Sequence, residues 1–248
     1  MPEFLPDLPV EGILECLKRS PGHEIRTGKF DSPESSAALV ANAFGWFLNR
    51  PQVLPPLPGV PAGQAETVTL EAEMRYPWKG GRQPWLDVGI ETATTLIGIQ
   101  SKRYEPFRPA KVQGFSELID RPEWRQTMGA YTKMRDDLVS GKVDFDAMDA
   151  VGLIKQAYGI QTRAEKRALG GVLVYLYAEP KTWASGKPVN PDRVIQHQKE
   201  LAKFARMVAG DAVVFVPLRW ADLLLQWAQV PALAAHVEAL RARFGKLG

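Results

Sequence analysis

Residues 85–102 read WLDVGIETATTLIGIQSK, and this stretch decides the fold. β-Branched and apolar residues lie on both sides of a threonine-rich connection at residues 91–95, which predicts two strands joined as a hairpin. We centre the turn between Ala93 and Thr94, because a two-residue loop and a four-residue loop would both be centred there. The facing pairs are then Asp87 with Gln100, Gly89 with Gly98, and Trp85 with Lys102.

Alternation along the two strands gives the hairpin two unlike faces. One face carries Asp87, Gln100 and Lys102 beside a glycine pair, where another backbone can approach closely. Two alternatives stay open: this face is polar only because it meets water, or a one-residue bulge changes the register. The opposite face is wholly aliphatic and consists of Val88, Ile90, Ile97 and Ile99.

A carboxylate, an amide and a lysine in the spacing D-x12-Q-x-K resemble the PD-(D/E)xK nuclease signature, in the QxK form of Mrr-like restriction endonucleases. The stretches at 28–36, 74–82 and 102–107 are similar to a family of bacterial restriction-endonuclease-like proteins. The resemblance spans about two-thirds of the chain, from its start. Two positions depart from the usual pattern: Gln100 replaces an acidic residue, and the proline precedes Asp87 by three positions rather than one.

The resemblance implies a Mg²⁺-dependent or Mn²⁺-dependent endonuclease that cuts DNA. In that superfamily the aspartate and the second position hold the metal, while the lysine positions the attacking water or stabilises the charged phosphorane. Asp87 and Gln100 are therefore the candidate metal ligands, and Lys102 is the candidate catalytic lysine.

A further acidic ligand is expected, because Asp87 and Gln100 together offer one negative charge to a divalent cation. The candidate is Glu34, at the start of a helix predicted over 33–49 with Ser32 as its N-cap. Superfamily members often supply a glutamate from the first helix. Alternatively, Glu34 only favours the positive end of the helix dipole or completes a cap. The runners-up, on a strand predicted over 68–76, are Glu71 and Glu73.

Basic residues cluster in the hairpin and its entrances and alternate with tryptophan, tyrosine and phenylalanine. This mixture is expected of a groove that follows phosphates, and the net charge of +3 permits such a partner. A solvated basic edge is the alternative. The candidate DNA-binding residues are Lys79, Arg82, Arg103 and Arg108.

Composition predicts an ordinary globular chain, with 248 residues, 45% hydrophobic content and 24% charged residues. We expect one domain over 1–248, with its core at about residues 30–218 and C-terminal helices at 219–248. The single cysteine excludes an internal disulfide, and the three histidines are not at zinc spacing. No apolar run is long enough for a membrane span and the N-terminus lacks a secretory signal, so the expected location is the cytoplasm. A homodimer is an open option.

The later elements extend the fold prediction. Amphipathic helices are predicted over 123–140 and 146–158, and Asn190 with Pro191 opens another helix. Buried strands are predicted over 171–177 and 212–218. The resulting order matches the αβββαβ core of the restriction-endonuclease-like fold, an α/β architecture whose mixed central sheet is flanked by helices. An extra strand and helices follow at the C-terminus.

Three classes of function compete on this scaffold. The first is a metal-dependent DNA endonuclease acting in defence or repair. The second is a nucleic-acid-binding protein of the same fold that has lost cleavage, an option kept open by the glutamine at position 100. The third keeps only the scaffold, because a fold alone does not determine function. Salt-dependent DNA binding separates the third class from the others, and metal-dependent nicking separates the first from the second.

Overall fold

The computed structural model describes residues 2–22, 24–78, 81–109, 114–115, 127–245 and 247. Within these ranges the chain forms five strands and seven α-helices. In chain order they are α1 (Val10–Arg19), α2 (Ser36–Phe44), β1 (Ala65–Glu73), β2 (Trp85–Thr92), β3 (Thr95–Lys102), α3 (Gly129–Val139), α4 (Ala150–Lys166), β4 (Gly170–Tyr177), α5 (Pro191–Met207), β5 (Val213–Arg219), α6 (Trp220–Trp227) and α7 (Ala234–Phe244).

All five strands join one mixed sheet in the order β1-β2-β3-β4-β5. The first three strands form an antiparallel meander, whereas β3, β4 and β5 run parallel to one another. Parallel neighbours need a crossover, and helical segments supply it before β4 and before β5. The predicted α/β class with a mixed central sheet is confirmed.

Helices cover both faces of the sheet and create two cores. One core contains residues of α1, α2, α6 and α7, and the other contains residues of α3, α4 and α5. Strand β4 is buried on both faces, as predicted for 171–177. The prediction of a buried strand at 212–218 is wrong in its burial: β5 is an edge strand, and Val214 is 45% exposed.

The hairpin joins β2 to β3 through two residues, one of the two loop lengths that the centred turn allowed, and it has the predicted pairing of Gly89 with Gly98. Its aliphatic face is buried in the core on the side of α2. The register extends from the pair Glu91 and Leu96 to the pair Val88 and Ile99. Beyond that pair, towards Asp87 and Gln100, no further backbone pairing between the two strands is assigned among the described residues.

Glycines allow α4 to lie close to the sheet. A Cβ atom at Gly98 would clash with Leu86 and would lie 2.8 Å from Cδ1 of Ile160 on α4. A Cβ atom at Gly159 would lie 2.7 Å from Cβ of Met74. The separation between α4 and the strands is therefore smaller than larger residues at these two positions would permit.

Alternation along β1 breaks at Glu71, whose φ of +51° is unusual for a residue with a side chain. Leu70 packs in the core on the side of α2, whereas Ala72 packs in the core on the side of α4. Unbroken alternation along the predicted strand would put Glu71 and Glu73, the two runner-up ligands, on one face, and the positive φ removes the basis for that expectation.

Helix boundaries differ from the predictions where several residues compete as caps. Helix α2 begins at Ser36, and Ser35 caps it by accepting a hydrogen bond from the Ala38 N–H. Ser32, the predicted cap, instead accepts from the N–H of Glu34. Helix α2 also ends at 44 rather than 49, and α4 spans 150–166 rather than 146–158. Helix α3 begins at 129 rather than 123, with 116–126 outside the described residues.

No helix in the described part of the chain is both long enough and apolar enough to cross a membrane.

Candidate active site

The Asp87 carboxylate lies where β2 and β3 separate. Its Oδ2 atom accepts hydrogen bonds from the backbone N–H of Ser101 at 2.5 Å and from Nε2 of Gln100 at 2.7 Å. The carboxylate thus occupies the position of a backbone acceptor and keeps the Ser101 N–H satisfied. Asp87 and Gln100 are brought together as the sequence predicted.

Gln156 on α4 fixes the orientation of the Gln100 amide. Its Nε2 atom donates to the carbonyl of Trp85 at 2.9 Å and to Oε1 of Gln100. Because this donor occupies the oxygen of Gln100, the nitrogen of Gln100 is the atom that faces Asp87. No described residue donates to Oε1 of Gln156, although the residue is only 9% exposed. These contacts form an amide relay from Trp85 through Gln156 and Gln100 to Asp87.

Replacing Gln156 with methionine is expected to lower the free energy of unfolding by about 1–3 kcal/mol. The change keeps the side-chain volume but leaves Oε1 of Gln100 and the carbonyl of Trp85 without their donor. Urea denaturation measures the loss, with Gln52→Met, at an exposed glutamine, as the control. Equal stability of the two variants would contradict the relay.

The carboxylate of Glu71 lies close enough to Asp87 for their charges to interact. Leu70 pairs with Val88 and Ala72 with Leu86, so Glu71 is level with Asp87 on the neighbouring strand. Burial, together with the nearby Asp87 charge, raises the pKa of Glu71 to about 8. Burial also raises the pKa of Asp87 to about 6, although Lys102 and the Ser101 N–H act in the opposite direction.

Three further charged groups surround this pair. The charge of Lys102 favours ionisation of Asp87, Glu24 and Glu105. Burial and the charge of Glu105 raise the pKa of Glu24. Burial acts to raise the pKa of Glu105 as well, but Lys102 and hydrogen bonds from Ser36 and the Arg103 N–H outweigh it and lower that pKa. The cationic side chain of Lys102 therefore acts on three acidic ones.

Glu71→Gln is expected to flatten the pH dependence of stability in the metal-free protein. The folded-state pKa of about 8 lies above the ordinary value of 4.5, so the folded protein binds this proton more tightly than the unfolded chain does. This contribution to stability is complete below about pH 4.5 and is lost as the pH rises to about 8. The variant has no proton to lose at this position, so its stability lacks this pH dependence. The difference in melting temperature, variant minus wild type, should therefore be several degrees larger at about pH 8 than at about pH 5.

Thermal unfolding in EDTA at both pH values measures this effect. Glu66→Gln, at an exposed acid on the same strand, is the control. A variant whose melting temperature differs from the wild type by the same amount at both pH values would contradict the assigned pKa.

Both hydrogen bonds of the Glu34 carboxylate go to residues other than Asp87. Its Oε2 atom pairs with Arg108 at 2.7 Å, and its Oε1 atom accepts from the N–H of Ala184 at 3.1 Å. Glu34 precedes α2 and is not part of it, because Ser35 caps the helix. Its carboxylate joins the segment before α2 to two later segments of the chain.

The candidate DNA-binding residues differ in what they present to solvent. Arg103 is 4% exposed and donates to the carbonyls of Pro33 and Phe244, so its guanidinium points into the protein. Arg108 is exposed and paired with Glu34, and Arg82 is exposed. Lys79 lies outside the described residues. The predicted phosphate-binding surface therefore loses Arg103, whose hydrogen bonds stabilise the packing of the C-terminal segment.

The fit of this site to a metal ion depends on the donor atoms that it offers. Within the described ranges, no three histidine, cysteine, aspartate or glutamate side chains are arranged to hold one. The paired carboxylates of Asp87 and Glu71 nevertheless match the oxygen chemistry that Mg²⁺ prefers, and Mg²⁺ usually needs only one or two carboxylates from the protein. The oxygen of Gln100 is engaged by Gln156 in this arrangement and does not face the carboxylates.

Comparisons with protein-family models, with curated proteins and with solved structures found no match to this chain.

Several residues of the site carry no local sequence signal. Gln156 is 56 positions from Gln100 and belongs to a helix whose apolar stripe says nothing about one amide. Glu24 lies in an irregular segment after α1. Glu105 follows Lys102 closely enough that the turn after β3 could have suggested it, since a chain that turns back brings such residues near the strand end.

Proposed function

We propose that this protein is a metal-dependent nuclease that hydrolyses DNA phosphodiester bonds. The observation that carries the proposal is the partly buried pair of Asp87 and Glu71 beside Lys102, at the point where β2 and β3 separate. Acidic groups with raised pKa values next to a lysine are typical of functional sites, because such an arrangement is costly for stability alone.

The architecture supports the same proposal. A helix, an antiparallel meander, a further helix and a strand parallel to β3 follow one another in the order expected of the αβββαβ core. Asp87 on β2 and Lys102 at the end of β3 support the proposal, because the resemblance to PD-(D/E)xK nucleases leads us to expect an aspartate and a lysine on neighbouring strands. The strand and helices after residue 212 extend this core.

The residues have distinct roles in the proposed reaction. Asp87 and Glu71 would hold Mg²⁺ or Mn²⁺, which supplies Lewis acidity and lowers the pKa of bound water. Lys102 stabilises the negative charge that develops on the phosphate oxygens, and its ammonium group makes no hydrogen bond or ion pair with any described residue. The relay through Gln100 and Gln156 holds the Asp87 carboxylate in position.

Nicking of supercoiled plasmid DNA with Mg²⁺, with Mn²⁺ and with EDTA tests the proposal. We expect open-circular product with either metal and none with EDTA. Glu165→Gln, at an exposed acid near the far end of α4, is the control that should retain activity. Absence of nicking with both metals on plasmid and on single-stranded DNA would overturn the proposed function.

One observation favours a second candidate, a nucleic-acid-binding protein that does not cleave. The oxygen of Gln100 faces Gln156, so the position that usually supplies an acidic ligand presents an amide nitrogen to Asp87. A site of this kind holds its carboxylate by neutral hydrogen bonds without needing a cation. Salt-dependent DNA binding without nicking would support this second function.

A further inference from the structure

A cleft of about 870 Å³ opens beside Lys102. Its floor includes Lys102 on β3 and Tyr175 on the adjacent β4. One wall consists of Glu105, Pro106, Arg108 and Pro109, and the other consists of Leu138, Val139 and residues 143–151. This volume lies within the range of roughly 300–1,000 Å³ that is typical of small-molecule sites.

Two side chains of α5 hold the walls in place. The Arg193 guanidinium donates to the carbonyl of Arg108 at 3.0 Å and to the carboxylate of Asp146 at 2.6 Å, so it joins one wall to the other. Glu200, which is 9% exposed, accepts hydrogen bonds from the N–H groups of Asp146 and Ala147. Charge-assisted bonds of this kind give the cleft a preformed width.

The lining combines apolar side chains with carboxylate acceptors and two cations, Lys102 and Arg108. Phe115, Phe145 and Met148 supply the apolar surfaces, and the carboxylates of Glu105 and Asp149 stand among them. A nucleobase fits such a lining, because its faces stack on aromatic rings and its exocyclic amines donate to carboxylates. Lys102, at the floor, matches the charge of a phosphate attached to that nucleotide.

We propose that this cleft receives one unpaired nucleotide of the nucleic-acid substrate, with its base between the walls and its phosphate at Lys102. The proposal rests on the proposed function, and it deepens that function by naming the substrate class. A base within a duplex is stacked and paired, so it reaches a concave cleft only when it is extruded or when the strand is single. The preferred substrate is therefore DNA with an unpaired nucleotide.

Fluorescence anisotropy with short labelled oligonucleotides in EDTA tests the cleft without cleavage. We expect single-stranded or mismatched oligonucleotides to bind about tenfold more tightly than a fully paired duplex. Val151→Trp, which narrows the cleft from the first turn of α4, should abolish this preference and leave duplex binding unchanged. Leu225→Trp is the matched control, at an apolar residue that is 59% exposed elsewhere.

Phe145→Ala provides a second variant if Val151→Trp fails to fold, and it should weaken binding of the unpaired strand by removing a stacking surface. Equal affinity for paired and unpaired oligonucleotides, or no effect of either variant, would overturn the proposal. So would a lack of binding to unpaired oligonucleotides in both EDTA and Ca²⁺. A retained preference without nicking would refute the nuclease and keep the cleft, whereas nicking without a preference would refute the cleft alone.

Discussion

Asp87→Ala is expected to reduce metal-dependent nicking to the level of the reaction in EDTA, a loss of at least about a thousandfold. The substitution removes the carboxylate that both β3 and the amide relay hold in place, and with it one of the two proposed metal ligands. Calorimetric titration with Mn²⁺ should show the loss of metal binding in parallel. Asp87→Asn keeps an acceptor for the Ser101 N–H, so it separates a chemical defect from a folding defect.

Lys102→Ala is the informative counterpart of that experiment. It should slow nicking by about a hundredfold to a thousandfold while Mn²⁺ binding stays near the wild-type value, because the lysine acts on the phosphate and not on the metal. Glu165→Gln should match the wild type in both measurements. Full activity of Asp87→Ala would exclude the proposed site.

Gln100→Glu is expected to make the protein both less stable without metal and more avid for it. A new carboxylate would replace the amide whose nitrogen lies 2.7 Å from Asp87, so two like charges would meet in a partly buried site. We expect the melting temperature in EDTA to fall by several degrees at neutral pH and to recover when Mg²⁺ is added. Affinity for Mg²⁺ should rise on the order of tenfold, because a neutral group becomes charged with little change of reach.

Thermal unfolding with and without Mg²⁺ measures both effects of this change. Gln52→Glu, at an exposed glutamine, should show neither. If Gln100→Glu leaves the metal affinity and the metal-free stability unchanged, the charge of this side chain does not reach the proposed metal ligands.

The hairpin was predictable because local rules determine it. A centred turn fixes the pairing of Gly89 with Gly98, and alternation then fixes which residues enter the core. The same rules predicted that Asp87 and Gln100 would meet. Strand β4 was equally predictable, because a continuous apolar run bounded by glycines requires burial on both faces.

The rest of the site depends on choices that no short pattern encodes. Ser32 and Ser35 can each cap a helix, and the choice of Ser35 leaves Glu34 outside α2. The positive φ at Glu71 brings a second carboxylate to Asp87, yet a glutamate in a strand pattern gives no sign of it. The sequence around Arg103 predicts a surface cation, because nothing local indicates that its guanidinium donates to the carbonyl of Phe244 in the C-terminal segment.

The close approach of α4 to the sheet has a consequence for the tolerance of the whole site. The amide relay joins α4 to the strands, so the lengths of its hydrogen bonds depend on the separation of helix and sheet that Gly98 and Gly159 permit. A hydrogen bond has a narrow range of favourable distances and angles, so a small shift of the helix weakens it. The two glycines therefore control the position of the Asp87 carboxylate from a distance. A methyl group at either glycine is expected to move α4, weaken the relay and shift that carboxylate without contacting it.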